Sequence, residues 1–192
     1  MREKTLPEDA VKKILREPSE FKRKLLLLGY LTDRLKRLDV ESIIVGGQAV
    51  EIYTAGQHTT GDVELAVSSR EKAEKVLREL GFEQEGRIWI HSEWNLAIDI
   101  VVSSLVEVEG RDRVRIFKAG PYTLLLCSLE NLIVQRLHSA KYWHYLEDLE
   151  QAATLLAVHY DTIDHKYLKQ RAKQERVEDF LLKIERKVKE IR

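Results

Sequence analysis

A short apolar run that ends abruptly at two glycines constrains this chain more than any other stretch. In Ser42–Val67, SIIVGGQAVEIYTAGQHTTGDVELAV, the SIIV run reads as a buried strand. Gly46 and Gly47 follow at once, and AVEIY continues at helical spacing with Ala49, Ile52 and Tyr53 on one face. A second strand, Val63 to Val67, carries Asp62 at its mouth and Glu64 two positions on. Side chains alternate along a strand, so these two carboxylates point the same way. Two acids on one strand face, just downstream of a strand-to-helix glycine turn, suit a metal-bound polyphosphate.

A third acid is at hand. The strand LAIDIVV, Leu96 to Val102, is apolar except for Asp99. A carboxylate in such surroundings is costly unless it is paired or bound to a metal. If Asp62, Glu64 and Asp99 converge, they supply the few carboxylate oxygens that Mg²⁺ takes, its other positions going to water and phosphate. Gly46 and Gly47 then offer open backbone N–H groups and a helix N-terminus to the phosphates. Two plainer readings stay open: Asp62 and Glu64 as solvated strand-end acids, and Asp99 as the partner of a structural ion pair.

The rest of the chain sorts into elements around this stretch. Glu8 to Arg16 reads as a short helix after Pro7. Phe21, Leu25, Leu28, Leu31, Leu35 and Leu38 recur in steps of three and four, which predicts an amphipathic helix over about Ser19 to Leu38. Ser69 to Leu80 predicts another, stopped by Gly81. Short strands are expected at Phe82 to Glu85 and Ile88 to His91. A further hairpin, Val106 to Val108 with Val114 to Phe117, is expected around Gly110. Leu124 to Cys127 is a last apolar run. Beyond it Ser128 is a good N-cap, and Leu129, Leu132, Ile133, Leu137 and Ala140 form one helical stripe. Leu146, Leu149, Ala152, Ala153 and Leu156 form a second, Asp164 to Lys173 suggests a third helix, and Val177 to Ile191 carries a fourth stripe. The fold class is therefore α+β: a mixed sheet with flanking helices, followed by a helical C-terminal region. The expected divisions are a polar segment 1–18, an α+β domain 19–127 and a helical region 128–192.

Composition narrows the function classes. The 192 residues carry 32 acids and 32 Lys plus Arg, so net charge gives no general pull toward nucleic acid or a membrane surface. No apolar run approaches the roughly 18 residues that span a bilayer. The single cysteine, Cys127, forms no internal disulfide, which suits the cytoplasm, the expected location. His58 and His91 have no metal-ligand spacing around them. Trp89, Trp94, Tyr142 and Trp143 are candidate base-stacking groups, more often core or rim. The basic run RDRVRIFK, 111–118, is a candidate acceptor contact, more often a solvated face.

Strand, Gly-Gly, helix, then T-x-D-x-D and a later strand with a lone Asp resembles the nucleotidyltransferase fold of the DNA polymerase beta superfamily. The matching residues are Gly46-Gly47, Thr60-Gly61-Asp62-Val63-Glu64 and Asp99. The likeness is nearest to small prokaryotic nucleotidyltransferases of the toxin-like abortive-infection group. Their "GG-x-A-x-x-x-Y" opening is matched by Gly46, Gly47, Ala49 and Tyr53. Their "PED-L-I-x-x-K-L-x-A" helix is matched by SLENLIVQRLHSA, with Arg136 in the Lys position, and their "K-D-x-x-D" only by Asp148. The resemblance spans about residues 40–160 and departs in two places: Glu64 replaces an Asp, and His144-Tyr145 replace the Lys-Asp.

What the resemblance implies is metal-dependent transfer of a nucleoside monophosphate from an NTP to a hydroxyl acceptor in RNA, protein or a small molecule. Asp62, Glu64 and Asp99 take the catalytic and Mg²⁺ (or Mn²⁺) roles. Gly46, Gly47, Gln48 and Thr60 take the nucleotide, with Arg136 and Asp148 as C-terminal contributors. The alternative is a non-catalytic nucleotide-binding or partner-binding member of the fold, antitoxin-like or accessory. A homo-oligomer built on the Phe21 and Val177 helices is a third, weaker expectation.

Overall fold

The computed structural model describes residues 7–102, 105, 108 and 110–191. Two helices, α1 (Pro7–Leu15) and α2 (Glu20–Lys36), lead into strand β1 (Ser42–Ile44). Helix α3 (Gly46–Tyr53) and strand β2 (Val63–Val67) complete the glycine-rich stretch. Helix α4 (Arg70–Glu79) is followed by β3 (Glu83–Glu85), β4 (Ile88–His91) and β5 (Leu96–Val102). A short 3₁₀ turn at Arg111–Arg113 precedes β6 (Arg115–Ala119) and β7 (Tyr122–Leu126). The chain then runs through α5 (Leu129–Tyr142), α6 (Leu146–His159), α7 (His165–Gln174) and α8 (Glu178–Ile191). The class is α+β with a mixed sheet, as the sequence indicates.

The described residues fall into two compact units. One comprises those within Met1–Ile44, Gly61–Val108 and Ile116–Leu126, the other those within Val45–Thr60, Glu109–Arg115 and Cys127–Arg192. The chain leaves the first unit where β1 ends and returns to it just before β2.

The first unit holds the sheet, with strand order β3-β4-β5-β2-β1-β7-β6. β1 runs antiparallel to β2 and parallel to β7, and β2 runs parallel to β5. β3, β4 and β5 form an antiparallel meander. Val63, Leu65, Ile98 and Ile100 are buried, and α2 packs on β7, β1 and α4. Helix starts follow capping chemistry: Ser19 Oγ accepts from the Lys22 N–H, and Ser69 Oγ from the Lys72 N–H.

The second unit is helical. Its largest packing pairs are α5 with α6 and α6 with α8, and α3 packs on α6. Ser128 Oγ caps α5 by accepting from the Asn131 N–H, as expected. Val177, Leu181, Ile184 and Val188 are buried, and α8 packs on α5, α6 and α7, so that stripe is used within the chain.

Two expectations are corrected. The stripe on α6 holds in part: Ala152 and Leu156 are buried as expected and Leu149 and Ala153 are half-buried, but Leu146 is 73% exposed, and Asp148 and Leu155 are buried beside the stripe. The turn at Gly110 opens a 3₁₀ turn, and Val114 lies outside any strand. The strand that follows, β6, neighbours β7 across Gly120-Pro121. Val106 and Glu107 of that hairpin lie outside the described residues.

No described helix is long and apolar enough to cross a membrane.

Candidate functional site

The acids come first. β2 and β5 lie side by side and parallel, with Glu64 opposite Asp99 in the register. Opposed residues on neighbouring strands share a face, so both carboxylates leave the sheet on the side away from Leu65, Ile98 and Ile100. Asp62 precedes the first residue of β2 and is half-buried. The apolar alternation of β2 and β5 thus fixes which way the acids point: one face of each strand is committed to the core, and the acids take the other.

Asp99 is buried, its side chain 5% exposed. Its partner is Arg87, whose Nε lies 3.1 Å from Asp99 Oδ2 in an ion pair. Arg87 sits in the two-residue connection between β3 and β4, beside Ile88, which is itself opposite Asp99 in the β4–β5 register. Asp99 is therefore flanked by Glu64 on one neighbour strand and by the Arg87 turn on the other. Sequence reading gave Asp99 a possible ion-pair role but not the partner, which only the strand order reveals.

The chemistry of the donors fits a hard divalent cation, since all three are carboxylates. Among the described residues, no group of three or more His, Cys, Asp or Glu is gathered to hold a metal. At Asp99 the positive charge is supplied by the Arg87 guanidinium.

The glycine stretch lies in the other unit. Val45 is the extended N-cap of α3, with no side-chain cap, and Gly46 has φ +58. That left-handed value favours glycine at the junction. At Gly47 a Cβ would come within 2.9 Å of Thr60 Oγ1 and 3.3 Å of Thr60 Cβ, so the absent side chain makes room for Thr60. The Thr60 N–H donates to Glu51 Oε2 at 3.4 Å. Gln48 is fully buried, and neither Nε2 nor Oε1 has a hydrogen-bond partner among the described residues. A buried orphan amide calls for an explanation, and a bound ligand is one.

The remaining candidates have the following surroundings. Tyr53 Oη donates to Cys127 O at 2.6 Å, and burial pushes its hydroxyl well above the usual tyrosine range, so it stays protonated. Arg136 Nη1 donates to Asp148 Oδ1 at 3.1 Å, tying α5 to α6 in a pair that is 16% and 13% exposed. Arg113 pairs with Asp164 and Arg115 with Glu130, so two cations of the basic run hold the helical unit together. His58 bonds Thr154, and His91 bonds Leu80 O and stacks on Trp94. Trp89 and Trp94 are core, whereas Tyr142 and Trp143 are exposed.

The mixed sheet and its helices make the nucleotidyltransferase-like fold. Two solved structures share it. One is an antigenic nucleotidyltransferase-like protein from Paracoccidioides brasiliensis, 14% identical over 82% of this chain and 88% of that one, with TM-score 0.54. The other is ANT(2")-Ia in complex with adenylyl-2"-tobramycin, 14% identical over 80% of this chain and 97% of that one, with TM-score 0.51. At such identity the likeness is one of fold. No protein-family model and no curated protein matches the sequence.

Proposed function

We propose that this chain is a nucleotidyltransferase that moves a nucleoside monophosphate from an NTP to a hydroxyl acceptor. The observation that carries the reading is the Glu64–Asp99 register across two parallel strands, in a fold shared with nucleotidyltransferase-like proteins. Asp62, Glu64 and Asp99 would hold Mg²⁺ or Mn²⁺, and Asp99 would take the proton of the acceptor hydroxyl as its oxygen attacks the α-phosphorus. The P–O bond to the β-phosphate breaks and pyrophosphate leaves. The bound cation supplies Lewis-acid charge on phosphate oxygens. Gly46, Gly47, Gln48 and Thr60 bind the nucleotide, and the orphan amide of Gln48 supports that role. The acceptor is RNA, a protein side chain or a small molecule, and the sequence likeness favours the toxin-like group over other branches of the fold.

A second reading, a nucleotide- or partner-binding protein without turnover, draws on two observations. Glu64 carries one methylene more than the family's Asp, and Asp99 is already paired with Arg87.

Label transfer from α-³²P NTPs to RNA, protein and small-molecule hydroxyl acceptors, with Mg²⁺ and then Mn²⁺, separates the two. For the enzyme, Glu64→Asp keeps activity within about tenfold or raises it, and Glu64→Ala removes it, since carboxylate reach rather than bulk is what a hard cation needs. Transfer that survives combined loss of Asp62 and Asp99 sinks the mechanism. Loss of all metal-dependent NTP binding sinks the nucleotide reading altogether.

A further inference from the structure

The ion pair at Asp99 is lopsided. The carboxylate side chain is 5% exposed and the arginine side chain 79% exposed. A buried carboxylate needs a counter-charge, because leaving it alone in low dielectric is costly. An arginine that stays mostly in water gives up little packing when it leaves, provided another cation takes its place at the carboxylate. Asp99 therefore needs a cation, but not this cation. Arg87 stands on the short β3–β4 connection, the end of the meander nearest Asp99 in the β4–β5 register, while Glu64 flanks Asp99 from β2. Its withdrawal requires rotation of one side chain about a turn and leaves the strand ladder intact.

We propose that Arg87 is a displaceable counterion for Asp99: it holds the carboxylate while the site is metal-free and yields it to a divalent cation bound with Glu64. The inference rests on the metal role of these acids given above. Arg87 is a positioning residue, acting through Asp99. Guanidinium and metal compete for one carboxylate, so by linkage each weakens the other's hold.

The test is Mn²⁺ binding by calorimetry and by the electron-paramagnetic signal of free Mn²⁺, with thermal melts of the metal-free protein. Arg87→Gln should tighten Mn²⁺ about tenfold, the size of ordinary coupling between two ligands. The same variant should melt earlier than wild type without metal and regain more on adding Mn²⁺. Arg87→Lys keeps the charge without the planar fork and should fall between them; it also serves if Arg87→Gln does not fold. Arg78→Gln is the charge control, because Arg78 lies over the Trp89 ring and pairs with Glu74 instead; it should leave Mn²⁺ affinity unchanged. Asp99→Asn should weaken Mn²⁺ binding and erase the Arg87 effect. If Asp99→Asn weakens binding while Arg87→Gln matches wild type or the Arg78 control, the counterion idea is overturned and the metal reading stands. If Mn²⁺ does not bind, or binds regardless of Asp99, both fall.

Discussion

Under the proposed nucleotide-binding role, Gln48 sets function against stability. Its amide is fully enclosed and neither end has a hydrogen-bond partner among the described residues, a condition that costs about 1–3 kcal/mol. Gln48→Met keeps the length and removes the orphan atoms. In the ligand-free protein it should stabilise by roughly 1 kcal/mol in urea denaturation, while NTP affinity falls. A variant that is stabilised but binds NTP as well as wild type would make the orphan amide a packing defect rather than a ligand group. The opposite caution applies to Gly47. Its missing Cβ faces Thr60, a stiff β-branched side chain, so a bulky replacement is expected to damage packing whether or not phosphate binds there. What sequence shows of these residues is uneven. Asp99 stands out because an acid interrupts LAIDIVV, which leaves metal ligand and ion-pair partner both open; its buried pairing with Arg87 is seen only in the structure. Arg87 has no such mark: it is one of many charged residues in a polar turn, and only the neighbouring of β4 and β5 gives it a role.

Elements with a local stop or start signal were legible, and those whose faces depend on a partner were not. Ser128 announces α5 and Gly81 the end of α4, while α2 is read from its leucine spacing; in the structure Ser19, Ser69 and Ser128 each cap through the hydroxyl. On α6 the periodicity identifies Ala152 and Leu156, which are buried, but includes Leu146, which is exposed, and gives no sign of Asp148, which is buried in a pair with Arg136. Helix α7 offers a test of capping by charge. Asp164 Oδ1 accepts from the Tyr167 N–H at 2.9 Å, and Oδ2 pairs with Arg113 at 3.0 Å. The backbone bond first, then the Arg113 bond, holds the Asp164 carboxyl below its ordinary value of 3.8. A depressed folded-state pKa means the stabilisation is present above 3.8 and is lost as pH falls through the folded value. Asp164→Ala should therefore be less stable than wild type at neutral pH, the gap closing in acid below that value. Asp164→Asn keeps the cap but not the charge, so it should lie between the two at neutral pH. Urea midpoints across a pH series read this out; a gap that does not narrow in acid would show that the charge contributes nothing.

At the scale of the whole molecule, the sequence suggests a break at residue 127, where strands give way to helices. The compact units are divided differently: residues 45–60, which carry α3, group with the C-terminal helices. The reason is physical. Tyr53 donates to Cys127 O, a ring nitrogen of His159 lies 2.8 Å from Tyr53 O, and α3 packs on α6. Hydrophobic periodicity reports which face of α3 is apolar, but not which later helix covers it. A fragment ending at residue 127 therefore keeps α3 and loses the helices it packs on. It should bind a hydrophobic dye strongly, show weakened near-ultraviolet circular dichroism and melt without a sharp transition, whereas the full chain should melt cooperatively. The complementary fragment from residue 128 lacks α3 and should likewise expose the α6 surface that α3 covers. Mixing the two fragments should restore a cooperative melt if residues 45–60 find their place among the helices. A fragment 1–127 that alone unfolds cooperatively, with native near-ultraviolet signal, would instead make residue 127 a true domain boundary and reduce the α3–α6 packing to a contact between independently stable pieces.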